Sequence, residues 1–154
     1  MTDLPAGGLT YQEALDVCAA DGATLPKLLT REDTLALKHY MNSENIEHAW
    51  TSLMKVDSSM TCSNSTCNDE LEWAGGLAFS FDASVVDQVN APDATQSCFT
   101  YRVNHDDLGD YPCGQSRRTF CQFTPLQVPA DYELRNGNYY KVINVKLIWF
   151  YIIH

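Results

Sequence analysis

The densest chemistry in the sequence lies in His105-Asp106-Asp107-Leu108-Gly109-Asp110, where three carboxylates fall within five positions. Carboxylates at that density supply the hard oxygens that calcium takes, so Asp106, Asp107 and Asp110 form a candidate irregular calcium site. A solvated acidic turn is the plainer reading. It is preferred because the whole chain is acidic: ten Lys and Arg stand against twenty Asp and Glu, a net charge of −10. Asp69, Glu70 and Glu72 can be imagined as the acid and base of a secreted hydrolase. Nothing beside them marks a cleft that would raise one of their pKa values, and no Gly-x-Ser-x-Gly or phosphate-cradling glycine loop occurs. His39, His48, His105 and His154 have no spacing that makes a ligand pair. The expectation is a binding protein without catalysis.

The six cysteines, Cys18, Cys62, Cys67, Cys98, Cys113 and Cys121, are the second chemical set. No Cys-x2-Cys pair occurs and no His pair completes a zinc site, so three disulfides in an oxidising compartment are expected. Asn64-Ser65-Thr66 is a glycosylation sequon between Cys62 and Cys67. Met1-Thr2-Asp3-Leu4-Pro5 has neither the basic start nor the apolar stretch of a leader. The expectation is a secreted or ectodomain protein, of which this chain is a fragment whose leader lies upstream. The longest apolar run, Leu147 to Ile153, is far short of the roughly 20 residues of a membrane helix, so no membrane insertion is expected. The acidic charge repels phosphate backbones, which argues against nucleic acid.

Two helices and then short strands must position these residues. Thr10-Tyr11-Gln12-Glu13 is a capping box, followed by Tyr11, Ala14, Leu15 and Cys18 on one face and Gly22 as a stop. A second helix starts at Thr30, with Glu32 and Asp33 in its first turn and an apolar side of Leu35, Leu37, Tyr40 and Met41. Ala49–Met54, Cys98–Val103 and Thr119–Phe123 read as strands, the second with Phe99, Tyr101 and Val103 alternating against Thr100 and Arg102. Residues 55–97 are loop-rich, which in a compact domain marks a binding region or a disulfide-tied excursion. Trp50 and Trp73 are expected in the core, and Arg117-Arg118 on a surface turn. Composition changes near Thr124-Pro125: residues 1–124 carry all six cysteines and a charge of −11, and residues 125–154 carry none and +1. The domain reading is therefore 1–124, a linker at 125–131, and a separate piece at 132–154.

In that order, Thr10–Ala14 with Cys18, Gly22–Leu25 with Leu28, Trp50-Thr51-Ser52-Leu53, Leu71-Glu72-Trp73 with Gly75-Gly76, and Cys98, Cys113 and Cys121 resemble the C-type lectin-like domain over about residues 9–123. The resemblance implies an α+β fold: two helices, short antiparallel sheets and a long loop. Six cysteines allow fifteen pairings. Of these the resemblance implies Cys18–Cys121 and Cys98–Cys113, leaving Cys62–Cys67.

Lectins of that family hold calcium with a Glu-Pro-Asn or Gln-Pro-Asn tripeptide, a Glu before the third framework cysteine and a Trp-Asn-Asp near the fourth. The resemblance places Gln88, Asn90, Gln96, Gly109 and Asp110 at those positions. Val89 replaces a cis proline, and a cis bond there would cost about 2.5–4 kcal/mol. Gln96 lacks the charge, Gly109 lacks a side chain, and Asp110 alone keeps a carboxylate. The implied function is extracellular recognition of a glycan or protein ligand, independent of calcium because this set is eroded. The alternative is a calcium-dependent lectin of galactose-type preference using Gln88, Asn90, Gln96 and Asp110, helped by Asp106 or Asp107. No cofactor is certain, and calcium is the possible one. The family's opening strand is missing before Leu9. Tyr132–Val142 resembles that strand hairpin, as if a second repeat began there. Tyr139–Val145 is a candidate to fold back into the vacant strand position, because an unpaired sheet edge is a liability.

Overall fold

The computed structural model describes residues 8–123 and, beyond them, the backbone of four strands within 132–152. Helix α1 (Tyr11–Ala20) starts at Thr10, whose hydroxyl accepts from the Glu13 amide while the Glu13 carboxylate accepts from the Thr10 amide. It buries Tyr11, Ala14 and Cys18 and ends at Asp21. Helix α2 (Arg31–Ser43) opens with the same reciprocal cap between Thr30 and Asp33, which satisfies amides that the first turn leaves unpaired. Its buried stripe is Thr34, Leu37 and Met41. Leu35, expected on that side, is half exposed instead. At about 100° per residue it lies a quarter-turn off the stripe that Thr34 leads.

Eight short strands follow within the domain: β1 (His48–Lys55), β2 (Cys62–Ser63), β3 (Leu71–Trp73), β4 (Leu77–Ala78), β5 (Gln88–Ala91), β6 (Cys98–Arg102), β7 (Asp107–Tyr111) and β8 (Phe120–Cys121). Seven of them form one sheet in the order β2-β5-β7-β6-β1-β3-β4. Only the β5–β7 pair in that sheet is parallel. The expected alternation in β6 gives way to burial of Cys98 through Tyr101, Thr100 included. A strand covered on both faces loses the half-wet pattern.

The sheet divides two apolar clusters. Leu9, Tyr11, Ala14, Cys18, Leu25 and Cys121 surround Trp50, whose indole N–H donates to the Leu9 carbonyl at 2.7 Å. Leu37, Met41, Leu53, Trp73, Phe99, Tyr101 and Phe120 belong to the other. Trp50 and Trp73 are thus both core. Disulfides join Cys18–Cys121, Cys98–Cys113 and Cys62–Cys67. The first ties α1 to β8 across 103 residues. Closing a loop of that length removes chain entropy from the unfolded state worth about 4–5 kcal/mol. Gly8, at φ +83°, lies so close to Arg117 that a Cβ there would come within 2.6 Å of its carbonyl oxygen. That approach lets Leu9 and Arg117 exchange backbone hydrogen bonds, while the Arg117 guanidinium covers the Tyr111 ring at 4.0 Å.

Beyond the domain, β9 (Tyr132–Arg135), β10 (Asn138–Ile143) and β11 (Lys146–Ile148) form an antiparallel meander. The fold-back expected of residues 139–145 is not what forms: β10 is paired on both sides within the meander. The strand that joins the domain is β12 (Tyr151–Ile152), with Tyr151 opposite Cys121 and Ile152 opposite Phe120. The linker at 125–131 and Val145 lie outside the described residues.

Candidate functional site

The residues matched to ligand positions converge at one end of the large sheet. Strand β5 runs parallel to β7, pairing Gln88 with Asp107, Val89 with Leu108 and Asn90 with Gly109. Val89 is buried and fixes the strand, its amide donating to the Asn64 side-chain oxygen at 2.9 Å. All peptide bonds among the described residues are trans, and residues 88–90 run as ordinary strand. Gln88 is exposed, and Asn90 is half-buried beside Gly109.

Gln96 and Asp110 are joined through Asp93. The Gln96 amide donates to one Asp93 carboxylate oxygen at 2.6 Å, and Thr95 donates to the other through its amide and hydroxyl. The Thr95 hydroxyl and amide, with lesser help from Gln96 and Lys55, hold the Asp93 carboxyl below the usual carboxylate range. The Asp93 amide in turn donates to Asp110 Oδ2 at 3.1 Å.

The centre of this arrangement is Lys55, which belongs to none of the sequence motifs. Its ammonium donates to the Asp93 carbonyl at 2.6 Å and to Asp110 Oδ2 at 3.1 Å. The Lys55 side chain has no exposure and that of Asp110 only 5%. The ion pair is therefore desolvated, and each partner depends on the other. One signal in the sequence does point to it: Lys55 follows Leu53 at the two-residue period of the inward face of β1.

Asp106 and Asp107 are not the solvated turn expected of them; both are buried. Asp106 accepts from Arg31 at 2.9 Å, from Lys38 at 3.2 Å and from the Tyr101 hydroxyl. Burial alone would raise its pKa, but the hydrogen bonds from Tyr101, Arg31 and Lys38 outweigh it and the net shift is down. Asp107 takes both its oxygens to Arg102, with Nε to Oδ1 at 2.7 Å. Gly109 makes room for that guanidinium, since a Cβ there would lie 2.9 Å from Arg102 Cζ. The three carboxylates are close in sequence and are directed to three separate cation sets. Among the described residues, no group of three or more His, Cys, Asp or Glu side chains is arranged to hold a metal.

Calcium takes about six to eight oxygens, with carboxylates supplying much of the affinity. This end of the sheet offers three side-chain amides, the Asp93 carboxylate that already accepts from Thr95 and Gln96, and the Asp110 carboxylate that already holds an ammonium. The residues as arranged do not fit the ion.

Asp69 and Glu70 are exposed and Glu72 is partly so, with no nucleophile or base converging on them among the described residues. The sequence of residues 7–123 matches the family model for the lectin C-type domain. The chain belongs to the C-type lectin domain family. Solved structures agree on the fold. A C-type lectin from the tunicate Polyandrocarpa misakiensis, TC14, aligns with a TM-score of 0.56 at 15% identity, covering 76% of this chain and 91% of that one. The carbohydrate-recognition domain of the mouse scavenger receptor C-type lectin aligns at 0.52 with 17% identity, over 73% and 80% of the two chains. The herring type II antifreeze protein aligns at 0.53 with 18% identity, over 78% and 94%. A search of curated protein sequences found no match. Among the described residues no helix is long and apolar enough to cross a membrane.

Proposed function

We propose that this C-type lectin domain is an extracellular recognition module that takes a glycan or protein ligand without calcium and without catalysis. The buried Lys55 ammonium on Asp110 and the Asp93 carbonyl carries this reading. A fixed internal cation occupies the one carboxylate left in the family's ligand set, so a metal would have to displace a desolvated ion pair. Residues 88–90 and 92–97 are held by the Val89 amide on Asn64 and by the Asp93 carboxylate on Thr95 and Gln96. Three disulfides favour an oxidising compartment, hence a secreted chain or an ectodomain. Asn64 is read as glycosylated in the same setting, with its oxygen bracing Val89 and its amide nitrogen left for the glycan. The β9–β10 hairpin is read as the start of a second repeat after a linker at 125–131.

Chromatography of the oxidised chain on immobilised galactose and on immobilised mannose tests the reading. Elution at the same volume in millimolar calcium and in EDTA is expected. Retention on galactose that EDTA releases would overturn it in favour of a calcium-dependent lectin using Gln88, Asn90, Gln96 and Asp110.

A further inference from the structure

Between the Leu28–Leu29 segment and β4 lies an open cleft of about 330 Å³, lined by Leu28, Leu29, Trp73, Leu77, Phe79 and Val85 among others. Leu29 and Leu77 are about half exposed at its mouth. Strand β4 is the last strand of the seven-stranded sheet, so one of its edges is unpaired. The Phe79 amide donates to the Leu71 carbonyl, and Glu72 stands opposite Ala78 with Leu77 opposite Trp73. In that antiparallel pattern Ala78 occupies the non-hydrogen-bonded position, which turns its N–H and C=O outward. An apolar cleft thus lies beside a free backbone donor and acceptor.

The charge around this edge is mostly negative. Glu72 stands opposite Ala78, the Asp69 amide donates to the Phe79 carbonyl, and residues 56–101 contain no Lys or Arg. Asp82 lines the cleft itself. The Ser84 hydroxyl and amide hold its carboxyl below the usual range, so it is charged at neutral pH. Two cations approach from the helical side. Arg31 is engaged by Asp106 and by the Val85 carbonyl. Lys27 reaches the Gly75–Gly76 turn before β4, with its ammonium 3.8 Å from where a Gly75 Cβ would stand.

We infer that this cleft and the β4 edge dock an extended polypeptide whose apolar side chains alternate with lysine or arginine. A strand added at β4 would bond Ala78 and send alternate side chains to opposite faces. One face would meet the cleft and the other the side of β3 and β4 where Glu72 stands opposite Ala78. The inference deepens the proposed function, because it rests on a protein ligand taken without calcium.

The test uses the oxidised full chain and two labelled eight-residue peptides, one alternating leucine with lysine and one alternating leucine with glutamate. Binding is read by fluorescence anisotropy in EGTA and again in millimolar calcium. The lysine peptide is expected to bind, more weakly as salt rises, and the glutamate peptide is not. Leu77→Lys is expected to weaken binding about tenfold or more, as for the loss of a central apolar anchor. Asp82→Asn is expected to weaken it about two- to fivefold, and Lys27→Glu to strengthen it. Ala78→Pro removes only the outward amide and is expected to weaken binding while the melting temperature holds, which covers the case of a Leu77 variant that fails to fold. Equal binding of both peptides, indifference to Leu77→Lys and Ala78→Pro, or a homodimer that Leu77→Lys dissociates would overturn the inference. The proposed function fails separately: calcium would raise the melting temperature while the lysine peptide still binds at the cleft.

Discussion

The acidic turn at residues 106–110 and the long loop at 56–97 carry the same kind of charge and treat it in opposite ways. In the turn, the carboxylates of Asp106, Asp107 and Asp110 are buried and held by Arg31 with Lys38, by Arg102 and by Lys55. In the loop, Asp57, Asp69, Glu70 and Asp82 face solvent, and no salt bridge engages them among the described residues. Burial makes the difference. An ionised carboxylate leaves water only with a partner, so Asp106 and Asp110 draw cations from α2 and β1, and Asp107 takes Arg102 from the adjacent strand β6. Those cations pin α2, β1 and β6 to the sheet end where Gln88, Asn90 and Asp110 lie. The exposed acids brace only their own turns, Asp57 accepting from Ser59 and Asp82 from Ser84.

The sharpest way to break this contrast is Lys55→Met. It leaves Asp110 buried without its cation and is expected to cost about 3–5 kcal/mol in urea unfolding. Lys55→Met with Asp110→Asn together should recover more than half of that loss. A cost below about 1 kcal/mol for the single variant would mean the pair is an incidental contact. Gly109→Ala comes next. Its Cβ would press on Arg102 at 2.9 Å and disturb the Asp107 pair, at an expected cost of about 1–3 kcal/mol by the same assay.

How far the sequence reached follows the same division. The helix caps, the apolar stripe of α1 and both tryptophans were legible, because short-range chemistry writes them: Thr10 and Glu13 are three residues apart, and period and size bury the rest. The disulfide pairs were legible through the family resemblance alone. The fate of the acidic turn was not. Arg31 and Lys38 lie some seventy residues from Asp106, and Lys55 lies 55 from Asp110. No local pattern announces such pairs. Leu35 misled because its type suggests burial while its angle on α2 faces water. Tyr151–Ile152 beside β8 was missed because a two-residue strand has no periodicity to read.

A smaller effect is expected from pH. The Asp106 carboxyl is held down in the fold, so its stabilisation is complete above the ordinary carboxylate range and is lost as pH falls below about 4. Wild-type stability should drop there, and Asp106→Asn, weaker at neutral pH, should drop less. His48 acts in the same direction at higher pH. Burial first, then the nearby Arg117 and Arg102, lower its pKa, against a weaker pull from Glu47 and Asp107. The unfolded chain then binds the proton more readily, and stability falls as pH drops from about 6.5. His48→Phe should flatten that upper part of the profile in urea titrations at stepped pH. The smallest effects belong to the exposed set: Asp57→Asn and Asp82→Asn should each change unfolding stability by less than about 0.5 kcal/mol.

The central claim is that the Lys55 ammonium fills the end of the sheet where the residues matched to the ligand positions lie. It is tested most directly by the melting temperature of the oxidised chain in EGTA and in millimolar calcium. An ion bound at 100 times its dissociation constant would add about 2.7 kcal/mol, a shift of several degrees for a domain of this size. The account predicts the same cooperative transition in both buffers. A calcium-dependent rise of several degrees that Asp110→Asn abolishes would contradict it.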